Sequence, residues 1–165
     1  MSESTLDLAV IGNGRTAALV EPSGRIVWWC LPRYDGDPAF CRLLAGEEEK
    51  GFTDVVLHGQ TASRSEYMRN TAIVVTELAD GNGGAVRITD FAPRFSLYER
   101  MFRPPQLIRR ITPLAGLPRI AIRVRPTHAY GRPTTVHSIG SNHIRYRGAS
   151  EVLRLSTDAP LSYIA

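Results

Sequence analysis

The residues best suited to chemistry lie in one short segment, Trp28-Trp-Cys-Leu-Pro-Arg-Tyr-Asp-Gly-Asp37. Aromatic rings stack on the apolar C–H faces of sugars, while arginine and carboxylate groups hold hydroxyls. Trp29, Arg33, Tyr34 and Asp35 are therefore candidates for contacting a sugar or a neighbouring domain. A purely structural interpretation competes with this one, because Arg33 beside Asp35 can also form a local ion pair.

The strand before this segment sets the orientation of the two tryptophans. Side chains alternate between the two faces of a strand, and Ile26 is an apolar residue that we expect in the core. Trp28 is then predicted to point into the core and Trp29 to point outwards. Tryptophans at a strand end are often core residues, which is the competing structural interpretation.

Other motifs with chemical potential are weaker. Gly12-Asn-Gly14 lacks the third glycine and the following helix of a phosphate-binding loop, and a turn between strands explains it better. The histidines lie in different parts of the chain, and no carboxylate or cysteine completes a metal site; they are His58, His128, His137 and His143. Nothing resembles an activated cysteine or a nucleophile elbow. The sequence therefore implies no metal, no cofactor and no catalytic residue.

The composition is that of a globular domain. The chain has 165 residues, of which 43% are hydrophobic and 22% charged, enough for a hydrophobic core. No apolar run is long enough to span a membrane, and Met1–Asp7 is too polar for a secretory signal. The only cysteines, Cys30 and Cys41, form neither a disulfide framework nor a metal-binding spacing. We expect one cytoplasmic domain over residues 1–165, with no membrane partner.

The net charge of +4 raises the question of nucleic-acid binding. Lys50 is the only lysine, and arginines are scattered along the chain, often alternating with apolar residues as in Arg119-Ile-Ala-Ile-Arg123-Val-Arg125. Such alternation is typical of the outward face of a strand. No RNA-recognition signature accompanies it, so no nucleic-acid partner is expected.

Alternating apolar residues bounded by turn residues predict an all-β protein. Four successive hairpins and one further strand indicate an antiparallel super-β-sandwich. The predicted hairpins are Thr16–Val20 with Arg25–Trp29, Ala72–Leu78 with Ala85–Phe91, Leu107–Thr112 with Arg119–Val124, and Thr135–Ile139 with His143–Arg147; Val152–Ser156 begins the further strand.

One segment, Asp37-Pro-Ala-Phe-Cys-Arg-Leu-Leu-Ala-Gly46, departs from this pattern. Its aspartate suits a helix N-cap, its proline the first helical position and its glycine the C-terminal end. Phe40, Leu43 and Leu44 recur at helical spacing. The segment predicts one short helix packed by a single face.

The sequence also resembles a known family over nearly its whole length. The resemblance is carried, in order, by Ile11–Val20, Gly24–Asp35, Phe40, Leu43-Leu44, Gly51-Phe52, Tyr67–Thr76, Val86–Pro93, Leu107–Arg110, Arg125-Pro126, Tyr130-Gly131 and Leu155–Asp158. These segments resemble the opening of bacterial glycoside hydrolase family 15 proteins, the trehalase/glucoamylase-like enzymes. Val27 and Trp29 depart from the family's pattern.

The resemblance implies an N-terminal β-sandwich that is followed, in the full-length enzyme, by an alpha/alpha barrel. The barrel carries two carboxylates that hydrolyse α-glucosidic bonds by inversion, one as general acid and one as general base. Neither maps onto this chain, so the chain alone is expected to be inactive. Its expected partners are that barrel and, in the full-length protein, an α-glucoside sugar. Its functions would be to brace the barrel and to present the loop from Trp28 to Asp37 towards the active site.

The resemblance also implies that further strands follow Leu155–Asp158, so the sandwich is expected to be truncated. An incomplete sandwich has an open sheet edge, which favours self-association. Two other functions remain open at this point. The chain is alternatively a free-standing carbohydrate-binding β-sandwich, which the aromatic and arginine residues would serve, or a structural interaction domain.

Overall fold

The structure, a computed structural model, describes residues 6–46 and 48–164. Those residues form strands joined by turns, with short 3-10 helices at Arg42–Leu44 and Leu161–Tyr163. The strands are β1 Ala9–Gly12, β2 Ala17–Val20, β3 Ile26–Leu31, β4 Asp37–Cys41, β5 Phe52–Leu57, β6 Gln60–Tyr67, β7 Val74–Asp80, β8 Ala85–Phe91, β9 Phe95–Leu97, β10 Arg100–Phe102, β11 Ile108–Ala115, β12 Ile120–Arg125, β13 Thr127–His128, β14 Arg132–Pro133, β15 Thr135–Ile139, β16 His143–Arg147 and β17 Val152–Ser156.

Two antiparallel sheets form the centre of the fold. The first has the order β1-β2-β3-β5-β12, with β4 also paired to β3, and the second has the order β11-β8-β7-β6. Val55 and Leu57 of the first sheet pack against Leu78, Val86 and Ile88 of the second. Burial of apolar side chains between two sheets is what holds a sandwich together. The all-β sandwich class is confirmed.

The predicted strands are present, but one predicted hairpin is wrong. The pairs β2–β3, β7–β8 and β15–β16 form as expected, and β17 pairs with β16. In contrast, β11 pairs with β8 and β12 pairs with β5, so these consecutive strands belong to different sheets. Ile111 and Ile122 both pack against the same core cluster, which places β11 and β12 on opposite sides of it.

The short helix predicted at residues 37–46 is also wrong. Asp37–Cys41 is strand β4, followed by a single 3-10 turn. Phe40 and Cys41 are buried, whereas Leu43 and Leu44 are 37% and 60% exposed, so the residues at helical spacing do not share a buried face. Residues 39–41 are instead buried in succession beside β3, and Ala39 and Phe40 belong to the core cluster that contains Trp29. Tertiary burial has overridden the local helix signals.

The orientation predicted for the two tryptophans is reversed. Trp29 is 5% exposed and lies in the core, whereas Trp28 is only partly buried. The cause is a β-bulge: Leu19 pairs with Trp28 but Val20 pairs with Ile26, which leaves Val27 as an extra residue. One extra residue changes the phase of alternation along a strand.

Smaller elements flank the sandwich. Strands β15, β16 and β17 form a separate three-stranded sheet, and Leu153 of β17 packs against the core cluster that contains Trp29. Strands β9 and β10 form a two-stranded hairpin of their own, as do β13 and β14. No helix in the described part of the chain is both long and apolar enough to cross a membrane.

Candidate functional site

The candidate loop is a tight turn between β3 and β4. The N–H of Gly36 donates to the carbonyl of Arg33 at 3.0 Å, and a Cβ at position 36 would collide with the carbonyl of Leu31. Arg33 and Asp35 form a bidentate pair, with Nε to Oδ1 at 3.2 Å and Nη2 to Oδ2 at 3.1 Å. Glycine at position 36 therefore allows the close turn, and the ion pair holds its outer side.

The loop presents its side chains to solvent. The side chains of Arg33 and Asp35 are 66% and 73% exposed, and Tyr34 is 56% exposed. The local ion pair foreseen by the structural interpretation is present. An ordered arginine, carboxylate and phenol at the surface also form a group that can bind hydroxyls and stack on a ring.

Trp29 does not belong to this surface. Its Nε1 donates to Thr16 Oγ1 at 2.9 Å, and that hydroxyl donates to the carbonyl of Cys30 at 2.9 Å. Its ring lies 5.9 Å from that of Phe40, centroid to centroid. The candidate site is therefore reduced to Arg33, Tyr34 and Asp35.

Asp37 adds a second segment to the site. Its carboxylate accepts the backbone N–H of Ala129 at 2.6 Å and that of Tyr130 at 3.4 Å. Ala129 and Tyr130 have φ values of 44° and 58°, a left-handed conformation that costs energy in residues with side chains. The aspartate stabilises this turn between β13 and β14 beside the end of the candidate loop.

The turn brings a further exposed ring to the site, because Tyr130 is 64% exposed. Sequence reasoning missed it as a site residue, since Tyr130 is more than ninety positions away from Asp37 along the chain. The available signal was Tyr130-Gly131, a pair that the family resemblance includes. The candidate site therefore consists of Arg33, Tyr34 and Asp35, with the Tyr130 turn bound to Asp37 at the end of the loop.

Behind the site lies a cavity of about 30 Å³, lined by residues that include Asp37, His128 and Tyr146. A cavity of that volume has room for one or two water molecules. The Nδ1 atom of His128 is buried and has no hydrogen-bond partner among the described residues. The cavity is too small for a sugar ring, so any sugar contact at this end of the molecule is a surface contact.

The two cysteines near the site are structural. Burial raises the pKa of the Cys30 thiol, which favours the protonated and unreactive form. Cys41 is fully buried, and its Sγ lies 3.2 Å from Thr127 Oγ1. Cys30 lacks the low pKa of a nucleophile, and both cysteines lack the exposure of one.

The most deeply buried carboxylates are bound by arginines. Asp90 receives Arg109 Nε at 2.8 Å and Nη2 at 2.9 Å, and the same guanidinium reaches the carbonyls of Gly24 and Thr53 at 2.6 and 3.3 Å. Since Asp90 and Arg109 belong to the second sheet and Thr53 to the first, this group ties the two sheets together. Sequence reasoning did not identify it.

Asp54 is the centre of a second ionic group. It receives Arg25 Nε at 2.9 Å and Arg123 Nε and Nη2 at 2.9 and 2.6 Å. Both guanidiniums lie over the ring of Phe52, at 4.6 and 5.0 Å from its centroid. The hydrogen bond with Asp54 raises the pKa of Arg123 above its already high ordinary value. This carboxylate is thus committed to structure rather than to acid–base chemistry.

Comparison with known proteins identifies the family. Residues 3–160 match the family described as "Trehalase-like, N-terminal". The chain belongs to this family. The match covers both sheets, the candidate loop and the turn at Tyr130.

The relatives of this trehalase-like N-terminal domain include two trehalases from archaea. The trehalase of Thermoplasma volcanium is 27% identical over 154 residues, which are 92% of this chain and 24% of that protein. Trehalase 2 of Sulfolobus acidocaldarius is 30% identical over 88 residues, 53% of this chain and 14% of that protein. The chain therefore spans about a quarter or less of the length of these relatives. No solved structure matches it significantly.

In this trehalase-like N-terminal domain, the ionic groups divide into buried ones and exposed ones. The buried carboxylates Asp54 and Asp90 hold the sandwich together, whereas the pair Arg33–Asp35 lies at the surface. Among the described residues, no group of three or more His, Cys, Asp or Glu side chains is placed to hold a metal ion. The surface loop and the Tyr130 turn thus carry side chains that are available to a ligand.

Proposed function

We propose that this chain is the non-catalytic N-terminal domain of a glycoside hydrolase family 15 enzyme of trehalase or glucoamylase type. The full-length enzyme would hydrolyse α-glucosidic bonds by inversion, with both catalytic carboxylates in a following alpha/alpha barrel. The observation that carries the proposal is the family match over residues 3–160, together with a trehalase relative whose match spans 92% of this chain and 24% of that relative. The bacterial source suggested by the resemblance stays a prediction, since both relatives named above are archaeal.

The domain itself has no role in bond cleavage in this proposal. A general acid must change its protonation state during turnover, and the buried carboxylates are held by two or more charge-assisted hydrogen bonds each. The purified chain should release no glucose from trehalose or maltose above a buffer blank. Turnover near the ordinary enzymatic rate of about 1 per second or more would contradict a domain-only function.

The domain's role is to brace the barrel and to present the loop of Arg33, Tyr34 and Asp35 to it, with Tyr130 beside the loop. A chimera tests this role: residues 1–165 replace the segment of the Thermoplasma volcanium trehalase that they match. The chimera should hydrolyse trehalose, and the same trehalase lacking the segment should not. A truncated trehalase as active and as stable as the chimera would show that the domain braces nothing.

A second candidate function, a free-standing carbohydrate-binding domain, is favoured by one observation. Tyr34 and Tyr130 are both more than half exposed beside an ordered arginine–aspartate pair. Titration of the isolated chain with trehalose, maltose and glucose, followed by tyrosine-ring NMR signals, separates the two functions. Saturable chemical-shift changes that are lost in Tyr34→Ala would support independent sugar binding. If the signals do not shift with any of the three sugars, the isolated domain does not bind them, and its function depends on the barrel.

The isolated chain should also associate with itself through an open sheet edge. In the three-stranded sheet, β15 and β17 each pair on one side only among the described strands. Val136, Ile139 and Val152 on these strands are 57%, 66% and 55% exposed. Unpaired edges beside apolar side chains favour pairing with another chain. Light scattering should show a mass that rises with protein and salt concentration, and a constant monomer mass would contradict this expectation.

A further inference from the structure

An apolar hairpin projects from the sandwich without a partner in the described chain. Strands β9 and β10 pair with each other and with no other described strand. Its large apolar residues are between 40% and 87% exposed, and they are Phe95, Leu97, Tyr98, Met101 and Phe102. We call residues 94–103 the arm. Apolar groups clustered at this density on a surface mark an interaction site, whereas scattered ones do not.

The arm is held in place at its base by the side chain of Asn13. Its Nδ2 donates to the carbonyl of Pro93 at 3.0 Å and to that of Pro104 at 2.8 Å, so one amide group joins both ends of the arm. Its Oδ1 accepts the backbone N–H of Arg15 at 3.0 Å and that of Thr16 at 3.2 Å. Asn13 is 2% exposed. The segment Gly12-Asn-Gly14 is the turn between β1 and β2, as the sequence predicts, and through Asn13 it also anchors the arm.

The arm is also ordered along its length. The rings of Phe95 and Phe102 stack at 5.5 Å between centroids and 13° between planes, and Phe95 pairs with Phe102 in the hairpin register. An isolated two-stranded hairpin is only marginally stable in water. The hydrogen bonds from Asn13 and the stacked rings are therefore needed to keep the arm folded. A preorganised apolar element loses little entropy when it binds.

The charges on the arm select its partner. The arm carries three arginines and one glutamate, all exposed: Arg94, Arg100, Arg103 and Glu99. The arm of a second copy is a poor partner, because two arms face to face would oppose like charges. The self-association proposed above uses the edges of β15 and β17 instead. A complementary surface has an apolar pocket with a rim of carboxylates.

We infer that the arm docks into such a pocket on the catalytic portion of a trehalase polypeptide. This inference rests on the proposed function and adds the contact that joins the two parts. The match with the Thermoplasma volcanium trehalase includes 92% of this chain but only 24% of that trehalase, so about three quarters of the trehalase lies outside the match. That remaining portion would supply the surface to which the arm binds. The arm suits such a contact because it is held at its base by Asn13 and combines apolar side chains with arginines.

Photo-crosslinking in the chimera described above tests the contact directly. Tyr98, 87% exposed at the tip of the arm, is replaced by p-benzoylphenylalanine; Leu117, 95% exposed on another loop, receives the same replacement as a control. Irradiation should give intramolecular crosslinks from position 98 to the catalytic portion and none from position 117, as mapped by mass spectrometry.

A second variant tests the apolar side chains. The double change Leu97→Ser with Met101→Ser, in the chimera with the photoreactive group at position 98, should lower the crosslink yield at least about tenfold, equivalent to about 1.4 kcal/mol of binding energy. Leu117→Ser in the same background should leave the yield unchanged. Circular dichroism confirms that each variant keeps its β-sheet signal.

The crosslinking pattern and the trehalase activity of the chimera together separate the arm contact from the proposed function. Crosslinks from position 98 to a second molecule would overturn the inference in favour of a dimer contact, and equal crosslinking from both positions or none would overturn it outright. A chimera that is inactive on trehalose but crosslinks from position 98 would refute the proposed function while supporting the arm contact. An active chimera without that crosslink would do the reverse.

Discussion

Two arginine–aspartate pairs of this molecule have the same bidentate geometry and opposite surroundings. Arg109 and Asp90 have side chains that are 13% and 1% exposed, and those of Arg33 and Asp35 are 66% and 73% exposed. The buried pair has Nε–Oδ1 and Nη2–Oδ2 distances of 2.8 and 2.9 Å, and the exposed pair has distances of 3.2 and 3.1 Å. The chemistry is alike, so the difference in role comes from position.

The buried pair determines how the sheets are joined. The guanidinium of Arg109 also donates to the carbonyls of Gly24 and Thr53, which belong to the other half of the sandwich. The exposed pair joins residues two positions apart and orders one turn. Desolvated charges are costly unless every hydrogen bond is made, whereas solvated charges stay available to a ligand. Position thus assigns the first pair to the fold and leaves the second accessible from solvent.

Breaking the buried pair should have the largest effect. Asp90→Ala leaves the Arg109 guanidinium buried without its counter-charge, which costs about 3–5 kcal/mol in comparable cases. Urea unfolding monitored by circular dichroism measures the loss. A small loss, near that of a surface variant, would show that water reaches this guanidinium. The difference in burial between the Arg109–Asp90 and Arg33–Asp35 pairs would then make little difference to stability.

A double variant sharpens the same test. Asp90→Leu with Arg109→Met replaces both charges by apolar groups and should recover part of the stability lost in Asp90→Ala, because no buried charge is left unpaired. The guanidinium bonds to the carbonyls of Gly24 and Thr53 are lost in the double variant, so recovery should be incomplete. Full recovery would mean that those bonds contribute nothing to joining the sheets.

The two tryptophans before the exposed loop test the same division between interior and edge. Trp29→Ala should cost about 3–5 kcal/mol, as for other buried aromatic residues, because the ring packs on Phe40 and its Nε1 donates to Thr16. Trp28→Ala should cost less, since Trp28 is only partly buried. Equal losses in denaturant titrations would contradict the bulge at Val27.

That bulge illustrates what the sequence can and cannot predict. Alternation and turn residues were sufficient for the hairpins β2–β3, β7–β8 and β15–β16, because those signals are local. The phase at Trp28 and Trp29 was not predictable, because it depends on which residue of β3 is left unpaired by β2. The family resemblance, which extends over nearly the whole chain, supplied the fold class more securely than any single pattern.

Long-range contacts account for the other failures. The hairpin of β11 with β12 was predicted from a Pro/Gly bend, but Arg109 and Arg123 lie opposite Asp90 and Asp54 on different neighbouring strands. The helix at residues 37–46 was predicted from capping residues, but the Asp37 carboxylate binds the distant turn at Ala129 instead. The ion pair of Arg33 with Asp35, which was the structural interpretation of the loop, was predictable because the two residues are neighbours along the chain.

The ionic group around Asp54 is intermediate in burial between the Arg109–Asp90 and Arg33–Asp35 pairs, so removing its carboxylate should lower the free energy of unfolding by an intermediate amount. Its carboxylate is 5% exposed, but Arg25 and Arg123 are 23% and 26% exposed and keep contact with solvent and with Phe52. Asp54→Ala should cost about 1.5–3 kcal/mol, the range for hydrogen bonds to charged groups. Urea unfolding at low and high salt measures it, and a cost above that of Asp90→Ala would contradict the ranking by burial.

Breaking the exposed pair should have the smallest effect on stability and the clearest effect on function. Arg33→Ala removes a solvated ion pair, so the free energy of unfolding should change by only about 0–1 kcal/mol. In the trehalase chimera the same change should lower kcat/KM for trehalose by a larger factor than the stability change explains, because in the proposed function Arg33 is one of the groups that the domain presents to the barrel. Arg64→Ala is the matched control, since Arg64 forms an equally exposed pair with Glu66 on strand β6, far from the loop in sequence. If Arg33→Ala and Arg64→Ala are equally active, the pair at Asp35 serves only to order its turn. If Arg33→Ala loses stability and activity in proportion, the exposed pair belongs to the fold after all, as the buried one does.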